Sequence, residues 1–310
     1  MTSAPVAQDA LRELARAARI LAVRSRREAS ELFAGAYRSA FRGGGIEFEE
    51  SRPYVPGDDV RSIDWNATAR TGEPHVKRFR EERDRTVLLL LDTSASMGFG
   101  SGARSKAETA AHAAALLAAA AGHVGDRVGL VAFDAAIHGE LEPARGPAHT
   151  WAVIRAAVRA GARARGGTGA ARALERALRL ARRRAVLFLL SDFRDDGLFA
   201  AGEGAPALAA ARRHDLVAIA LEDPREAALP AAGGVRVADP ERPGRSWLLE
   251  TGSARVRGRY AAAAAVRRRA VTQRLRRLGA DVLWMSTAGD PLRILGRFFE
   301  ERARGARPCP

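Results

Sequence analysis

The chain has 310 residues and a formal net charge of +15, because 51 lysines and arginines outnumber 36 aspartates and glutamates. A hydrophobic fraction of 47% is ordinary for a folded protein and excludes a wholly disordered chain. The single cysteine, Cys309, excludes a disulfide framework and a cysteine-based zinc site within one chain.

The composition also limits where the protein can be located and which kinds of partner it can bind. No stretch approaches the roughly 18 consecutive apolar residues of a membrane span, and residues 1–19 lack the apolar core of a signal peptide. We therefore expect a soluble cytoplasmic protein. The positive charge is almost wholly arginine, since Lys77 and Lys106 are the only lysines. Three arginine clusters, at 182–184, 267–269 and 276–277, fall in helical patterns without interleaved aromatic residues, which favours solvated helix faces; nucleic-acid binding is the alternative.

Helical and extended patterns alternate along most of the chain. An amphipathic helix is predicted over 9–33, an extended piece at 46–50, and a loop-rich segment at 51–75 with Tyr54 and Trp65 as aromatic anchors. Apolar runs predict buried strands at 86–91, 127–133, 185–190, 216–221 and 281–285. Periodicity predicts helices at 106–121, 151–160, 170–183, 205–213, 256–278 and 291–302. Residues 223–250 interrupt the alternation, and the whole order predicts a doubly wound parallel α/β sheet.

Polar residues follow the predicted strands at the edge where such sheets bind ligands. They are Asp92, Ser94 and Ser96 in an Asp-x-Ser-x-Ser pattern, Thr168 before the helix at 170, and Asp192 after the strand at 185–190. Two carboxylates and three hydroxyls suit Mg²⁺ or Mn²⁺, which keeps a position open for a partner's carboxylate. The alternative is that Asp92 and Ser94 only cap the next helix.

These residues resemble the metal-ion-dependent adhesion site of von Willebrand A domains. That motif is Asp-x-Ser-x-Ser, then a threonine, then an aspartate, on three loops of a Rossmann-like sheet. The resemblance implies that Ser94, Ser96 and Thr168 contact the metal directly, whereas Asp92 and Asp192 act through water or hydrogen bonds.

Catalytic motifs are missing from the same region. A haloacid-dehalogenase-type phosphatase needs an aspartate where Ser94 stands, no P-loop is present, and residues 98–102 lack the spacing of a nucleophile elbow. No general base stands beside the motif, so we expect protein binding and not catalysis. A metal-dependent hydrolase at the same site is the alternative.

Further segments resemble a bacterial family, number fifty-eight of the domain-of-unknown-function series. They lie at 42–50, 52–66, 69–70, 76–79, 190–193, 213–215, 223–226 and 238–241. Members are A-domain-like and are often encoded beside MoxR-type AAA+ ATPases, which implies an adaptor that helps such an ATPase to assemble or mature another protein. The resemblance covers about residues 30–300 and is most specific at 54–65. Gly169 departs from it, since members often carry an aspartate there.

We predict four parts of the chain. They are an N-terminal helical segment at 1–40, a β-rich subdomain at 41–85 with or without 231–250, a von Willebrand A-like domain at 86–303, and a tail at 304–310. Residues 56–65 have two interpretations. Their charged residues Asp58, Asp59, Arg61 and Asp64 form a docking surface, or they pair with Arg70, Lys77 and Arg78 to hold the subdomain; we favour the second.

Overall fold

The computed structural model describes residues 31–41, 46–59, 62–81, 85–194, 198, 205–240 and 244–305. Most of the helix predicted at 9–33, Arg61 and Cys309 lie outside the described residues. The helices are α1 (Glu31–Ala40), α2 (Trp65–Thr71), α3 (Lys106–Val124), α4 (Pro147–Gly161), α5 (Ala170–Leu180), α6 (Ala205–Arg213), α7 (Pro224–Ala227), α8 (Ala254–Arg277) and α9 (Pro291–Arg304). The strands are β1 (Ile46–Pro53), β2 (His75–Glu81), β3 (Thr86–Asp92), β4 (Arg127–Phe133), β5 (Ile137–Ala144), β6 (Ala185–Ser191), β7 (Asp215–Glu222), β8 (Gly234–Ala238), β9 (Ser246–Glu250) and β10 (Asp281–Ser286).

Six strands form the central sheet in the order β10-β7-β6-β3-β4-β5. The predicted doubly wound, Rossmann-like α/β fold is confirmed, with one correction. The sheet is not wholly parallel, because β5 runs antiparallel to β4 at one edge. The prediction missed β5 because its side chains are only partly buried and it has no continuous apolar run.

The order of the strands reverses at β3. The chain builds β3, moves outward to β4 and β5, and then returns to place β6 on the other side of β3. Loops that leave neighbouring strands on opposite sides of such a switch point diverge and open a crevice at the carboxyl ends of the strands. Here those ends are Asp92 of β3 and Ser191 of β6.

The apolar run of β3 divides between two helical layers. Val87, Leu89 and Leu91 face a core shared with α1, α3, α4 and α9, whereas Leu88 and Leu90 face a core shared with α5, α6 and α8. All five side chains are fully buried. A strand covered on both faces needs apolar residues at every position, which is why its sequence does not alternate.

Helix α1 packs on the same core as the sheet. Phe33, Tyr37 and Phe41 recur at four-residue spacing and contact Phe299 of α9, with ring centroids 5.5–5.6 Å apart. The Tyr37 hydroxyl donates a hydrogen bond to the Asp126 carboxylate at 2.9 Å. The rings and the hydrogen bond therefore fix this helix against α9 and the turn that precedes β4.

Two small sheets lie outside the central one. β1 pairs with β2, and β8 pairs with β9. Helix α2 between β1 and β2 was not predicted, although Asp64 caps it by accepting hydrogen bonds from the N–H groups of Asn66 and Ala67. The prediction that Trp65 is an anchor is wrong, because its side chain is 72% exposed.

The charged residues at 56–65 stabilise local structure. Asp58 accepts two hydrogen bonds from the Arg52 guanidinium, at 2.7 and 2.8 Å, and another from the Val55 N–H. The guanidinium holds the pKa of Asp58 below its ordinary value. The structural interpretation therefore agrees with these contacts, but the partner of Asp58 is Arg52.

The three arginine clusters differ in their secondary structure, contacts and exposure. Residues 182–184 lie in the turn between α5 and β6, not in the predicted helix. Arg268 pairs with Glu222 at 2.6 Å and stacks on Trp284, whereas 276 and 277 are exposed at the end of α8. Among the described helices, none has the length and apolar character needed to cross a membrane.

A buried histidine joins the end of α6 to the start of β6. The Nδ1 atom of His214 accepts a hydrogen bond from the Ala185 N–H at 3.2 Å, and its Nε2 atom is buried without a hydrogen-bond partner. Burial, together with the smaller effects of the Arg213 and Arg184 charges, lowers the pKa of His214 to about 4. The ring is therefore neutral in the folded protein at neutral pH.

We predict that His214 destabilises the fold in acid. The unfolded chain takes up a proton on this ring near pH 6.5, whereas the folded protein does so only near pH 4. Stability is therefore lost as the pH falls from 6.5 towards 4, by about 2 kcal/mol at pH 5. Urea unfolding at pH 8 and pH 5 measures this loss. His214→Asn keeps an acceptor for the Ala185 N–H and does not titrate, so its loss should be smaller; equal losses in both proteins contradict the prediction.

Candidate metal centre

The register of the sheet brings the ends of β3 and β6 together. Leu91 pairs with Leu190, so Asp92 and Ser191 come next on neighbouring strands. The Ser191 hydroxyl donates to Oδ2 of Asp92 at 2.5 Å, and the Ser94 N–H donates to its Oδ1 at 2.8 Å. Both oxygens of this fully buried carboxylate are therefore fixed in orientation.

The two serines of the Asp-x-Ser-x-Ser pattern face each other. The hydroxyl oxygens of Ser94 and Ser96 lie 3.2 Å apart, and both side chains are at most 2% exposed. Ser94 precedes a short 3-10 helix at Ala95–Gly98, but its side chain makes no capping hydrogen bond. Helix α3 is capped by Ser105. The alternative that Asp92 and Ser94 only cap the next helix is therefore wrong for Ser94, and Asp92 accepts hydrogen bonds from the Ser94 N–H and the Ser191 hydroxyl, neither of which lies in that helix.

Asp192 reaches the same cluster from β6. Its carboxylate accepts a hydrogen bond from Ser96, and its Oδ2 lies 2.6 Å from Nζ of Lys106. Nζ of Lys106 also donates to Glu226 at 2.8 Å, and Arg194 contacts both carboxylates, at 3.4 Å to Asp192 and 2.7 Å to Glu226. The far side of the cluster is thus an ion-pair network in which Lys106 and Asp192 are buried and Arg194 is 35% exposed.

The backbone after Asp192 makes a sharp bend. Phe193 has a φ of 52°, in the left-handed region that bulky residues rarely adopt. Its ring is buried in the core beside α5 and α6, and its N–H donates to the Ser191 hydroxyl at 3.0 Å. Core packing therefore holds a strained bend that turns the chain immediately after Asp192.

Thr168 comes to the cluster on the loop before α5. Hydrogen bonds of 2.9 Å join this loop to the loop after β3, from Ala95 N–H to Gly166 and from Arg165 N–H to Thr93. Thr168 is half-buried, in contrast to the four other predicted ligands. The backbone therefore places the threonine loop directly against the serine loop.

Steric crowding explains why position 169 is a glycine. A Cβ atom built there would lie 2.9 Å from the carbonyl oxygen of Asp134, so any side chain would force the loop away from the segment after β4. The aspartate that the family resemblance leads one to expect at this position would not fit this backbone.

The two carboxylates have opposite pKa shifts. Burial and, after it, the negative charge of Asp192 together raise the pKa of Asp92 to about 7, against the lowering effect of the hydrogen bonds from Ser191 and Ser94. Burial also acts to raise the pKa of Asp192, but the Lys106 and Arg194 charges outweigh it and lower that pKa. Asp192 therefore has resident counter-ions, whereas the partners of Asp92 among the described residues are hydrogen-bond donors without charge.

The donor set fits a hard divalent cation. Two ligands at right angles about an ion with 2.1 Å bonds lie about 3 Å apart, close to the separation of the two serine hydroxyls. Within the described residues, no group of three or more His, Cys, Asp or Glu side chains could hold a metal. An ion at this site would therefore depend on the hydroxyls as well as the carboxylates. The predicted ligand set of Asp92, Ser94, Ser96, Thr168 and Asp192 stays a prediction.

Sequence analysis missed four residues of this network: Ser191, Lys106, Arg194 and Glu226. Ser191 was visible as the polar residue that ends the strand before Asp192. Lys106 had a compositional signal, because it is one of two lysines in a chain that otherwise uses arginine. No sequence feature indicated Glu226, because it lies in α7, which follows β7 and not β3 or β6.

Comparison with known proteins identifies relatives but no activity. The profile of a family described as "Protein of unknown function DUF58" matches residues 50–270. Uncharacterized proteins of Mycobacterium bovis and Mycobacterium tuberculosis are each 33% identical over 296 residues, which cover 95% of this chain and 91% of theirs. An uncharacterized protein of Mycobacterium avium is 34% identical over 137 residues, covering 44% of this chain and 77% of its own.

Two solved structures are similar over most of the chain. They are the conserved hypothetical protein BatB from Bacteroides thetaiotaomicron and an aerotolerance-related membrane protein from Bacteroides fragilis. Each has a TM-score of 0.46 and 16% identity, and covers 71% of this chain and 99% of its own.

The charge on Asp92 should oppose folding when no metal is present. Its folded pKa of about 7 exceeds the ordinary 3.8, so stability falls as the pH rises between these values. We expect Asp92→Asn to be more stable than the wild type by about 1–3 kcal/mol at pH 8 in EDTA, and much less so at pH 4. Urea midpoints test this. Glu300→Gln, which removes an exposed carboxylate on α9, is the matched control. If Asp92→Asn is less stable than the wild type at pH 8, the folded protein accommodates the negative charge of Asp92 and the prediction is wrong.

Proposed function

The chain belongs to the DUF58 family, and on that premise we propose that it is a metal-ion-dependent protein-binding module and not an enzyme. Mg²⁺ or Mn²⁺ would be held by Asp92, Ser94, Ser96, Thr168 and Asp192. One observation carries the proposal. Two buried serine hydroxyls, 3.2 Å apart and unused for capping, lie between two buried carboxylates at the switch point of the sheet.

The surroundings of the hydroxyls support a binding role. Both carboxylates are at most 1% exposed, so they contribute charge to the site but cannot themselves contact a partner's surface. The loop after the serines, residues 98–103, is exposed. A bound metal would supply a Lewis-acidic position for an incoming carboxylate oxygen. The chain's own residues would orient that ion and exclude water from its inner side.

The groups beside the site are poor candidates for a general base. Asp192 and Glu226 are engaged by Lys106 and Arg194. Nε2 of His138 lies 2.6 Å from the Thr93 hydroxyl, and that hydroxyl also contacts the Phe133 carbonyl at 2.9 Å. Because the carbonyl only accepts, Thr93 donates to it, and the hydrogen-bond network then assigns the proton of the ring to Nε2. The nitrogen that faces the site loop is therefore a donor.

The partner is proposed from the family resemblance. A cytoplasmic adaptor for a MoxR-type AAA+ ATPase would offer this site to an acidic side chain of the ATPase or of the protein that it assembles or matures. The alternatives of a metal-dependent hydrolase and of a nucleic-acid-binding protein become outcomes of the tests below.

The first test measures metal binding directly. We expect the wild type to bind Mn²⁺ at one site in calorimetry or electron paramagnetic resonance, and Ser94→Ala with Ser96→Ala to weaken it at least 10-fold, because the ion loses two direct ligands. Ser246→Ala removes an exposed serine of β9 and should bind Mn²⁺ as the wild type does. Equal affinity in all three folded proteins contradicts the metal site.

The second test measures partner binding. A MoxR-type ATPase from the same organism should bind the wild type in Mg²⁺, and not in EDTA or with Asp92→Ala. Binding that is the same under all these conditions would rule out a metal-mediated contact. Turnover of ATP or phosphate esters by the metal-loaded protein alone would favour the hydrolase. Salt-sensitive DNA or RNA binding that Asp92→Ala leaves unchanged would favour the nucleic-acid alternative.

A further inference from the structure

A lysine is completely buried beside the proposed metal site. Lys106 is the first residue of α3, its side chain is 0% exposed, and its ammonium lies between Asp192 and Glu226. A buried ammonium is unfavourable unless charged partners surround it, and here two carboxylates lie within 2.8 Å. The ion pairs explain why the charge is tolerated, but not why a lysine occurs there.

The position of Lys106 is unfavourable for the helix itself. The first turn of a helix favours negative charge, because its N–H dipoles point outward there. The chain otherwise places arginine at nearly every basic position. A compact ammonium differs from a guanidinium because it presents a point charge with three rotatable donors, which suits a closed space between two carboxylates.

The same ammonium changes what Asp192 can offer to a metal. Its Oδ2 is bound by Lys106 at 2.6 Å and lies 3.4 Å from Arg194, and the Arg194 N–H donates to its Oδ1 at 3.3 Å. Of the two predicted carboxylates, only Asp92 lacks a basic side chain within ion-pair distance among the described residues.

The formal charges near the site show how Lys106 affects the binding of a divalent cation. Three carboxylates (Asp92, Asp192 and Glu226) and two basic side chains (Lys106 and Arg194) belong to Asp92 and the ion-pair network beside it. Asp223, whose N–H donates to Glu226, and Arg267, whose charge acts on Asp192 and Glu226, add one negative and one positive charge and leave the balance unchanged. With all of these groups ionised, a divalent cation leaves one uncompensated positive charge in a buried region. One further carboxylate, from outside, would neutralise it. Without Lys106 the metal would already be neutralised by the chain.

We propose that Lys106 is the resident counter-ion of Asp192, and that it keeps the affinity of the site for metal alone low. The ion is then held firmly only when a partner's carboxylate completes the charge balance, so metal and partner bind cooperatively. This proposal rests on the metal-binding function proposed above.

The experiment measures Mn²⁺ affinity without any partner. Lys106→Gln keeps hydrogen-bonding groups near Asp192 and Glu226 but removes the charge, so we expect Mn²⁺ to bind roughly 10-fold more tightly or better. Lys106→Arg retains the charge, so the Mn²⁺ affinity of the folded variant should stay well below that of Lys106→Gln, although the larger guanidinium does not match the space that the ammonium occupies. Arg194→Gln changes a side chain that is 35% exposed, so it tests the same effect with little risk to folding and should give a smaller increase.

A double variant tests whether the tighter Mn²⁺ binding occurs at the proposed metal site. Lys106→Gln with Asp92→Ala should lose it, if the ion lies at the proposed site. Failure to detect Asp92-dependent Mn²⁺ binding in any of the proteins would overturn both the metal site and the role of Lys106. Asp92-dependent binding in the wild type that is unchanged or weaker in Lys106→Gln and Arg194→Gln would overturn the counter-ion role alone.

Acetate serves as the probe for the partner's carboxylate. Because coupling between two ligands is reciprocal, acetate should increase the Mn²⁺ affinity of the wild type more than that of Lys106→Gln. An equal effect of acetate on both proteins would show that Lys106 does not link metal binding to an external carboxylate. Chloride at the same ionic strength is the control for screening.

Discussion

The buried ammonium of Lys106 is the contact on which the carboxyl edge of the sheet depends. It joins the start of α3 to Asp192 after β6 and to Glu226 of α7. Glu226 in turn accepts from the Asp223 N–H at 3.2 Å. One buried charge therefore connects three different elements, and without it the two carboxylates would be left with Arg194 as their ion-pair partner.

A second fully buried carboxylate, Asp223, extends this connection to the edge of the sheet. It accepts hydrogen bonds from the N–H and hydroxyl of Ser101, from the hydroxyl of Thr287 after β10, and from the N–H of Arg225. Burial acts to raise its pKa, but these donors outweigh burial and lower it. The exposed loop at 98–103 is thus attached at Ser101 to the far strands of the sheet, so the loop beside the candidate site is positioned by tertiary contacts.

The site itself combines rigid support with an uncompensated charge. Asp92 is fixed by two donors, and the bend at Phe193 is held by core packing. Yet the pKa of Asp92 is raised to about 7, which means that its charge is poorly accommodated without a cation. Such a combination of preorganised donors and stored electrostatic strain is common where a protein binds an ion or a charged ligand. Asp192 differs because Lys106 already compensates it.

The sequence by itself determined the fold class, the positions of the buried strands along the chain and the loops that carry the candidate ligands; the order of the strands within the sheet came from the structure. Continuous apolar runs such as 86–91 mark strands covered on both faces, and polar residues that end such runs must lie at one edge of a parallel sheet. It also placed Asp92, Ser94 and Ser96 on one short loop, where their spacing alone brings them together. Antiparallel β5 and helix α2 carried weaker signals, because half-exposed elements have no continuous apolar pattern. The local backbone after β3 decided that Ser94 makes no capping hydrogen bond. Only the tertiary structure decided that Gly169 lies against the carbonyl of Asp134 and that Lys106 pairs with Asp192. The first depends on the close approach of two backbone segments and the second on residues 86 positions apart, and no local pattern of side chains records such distances.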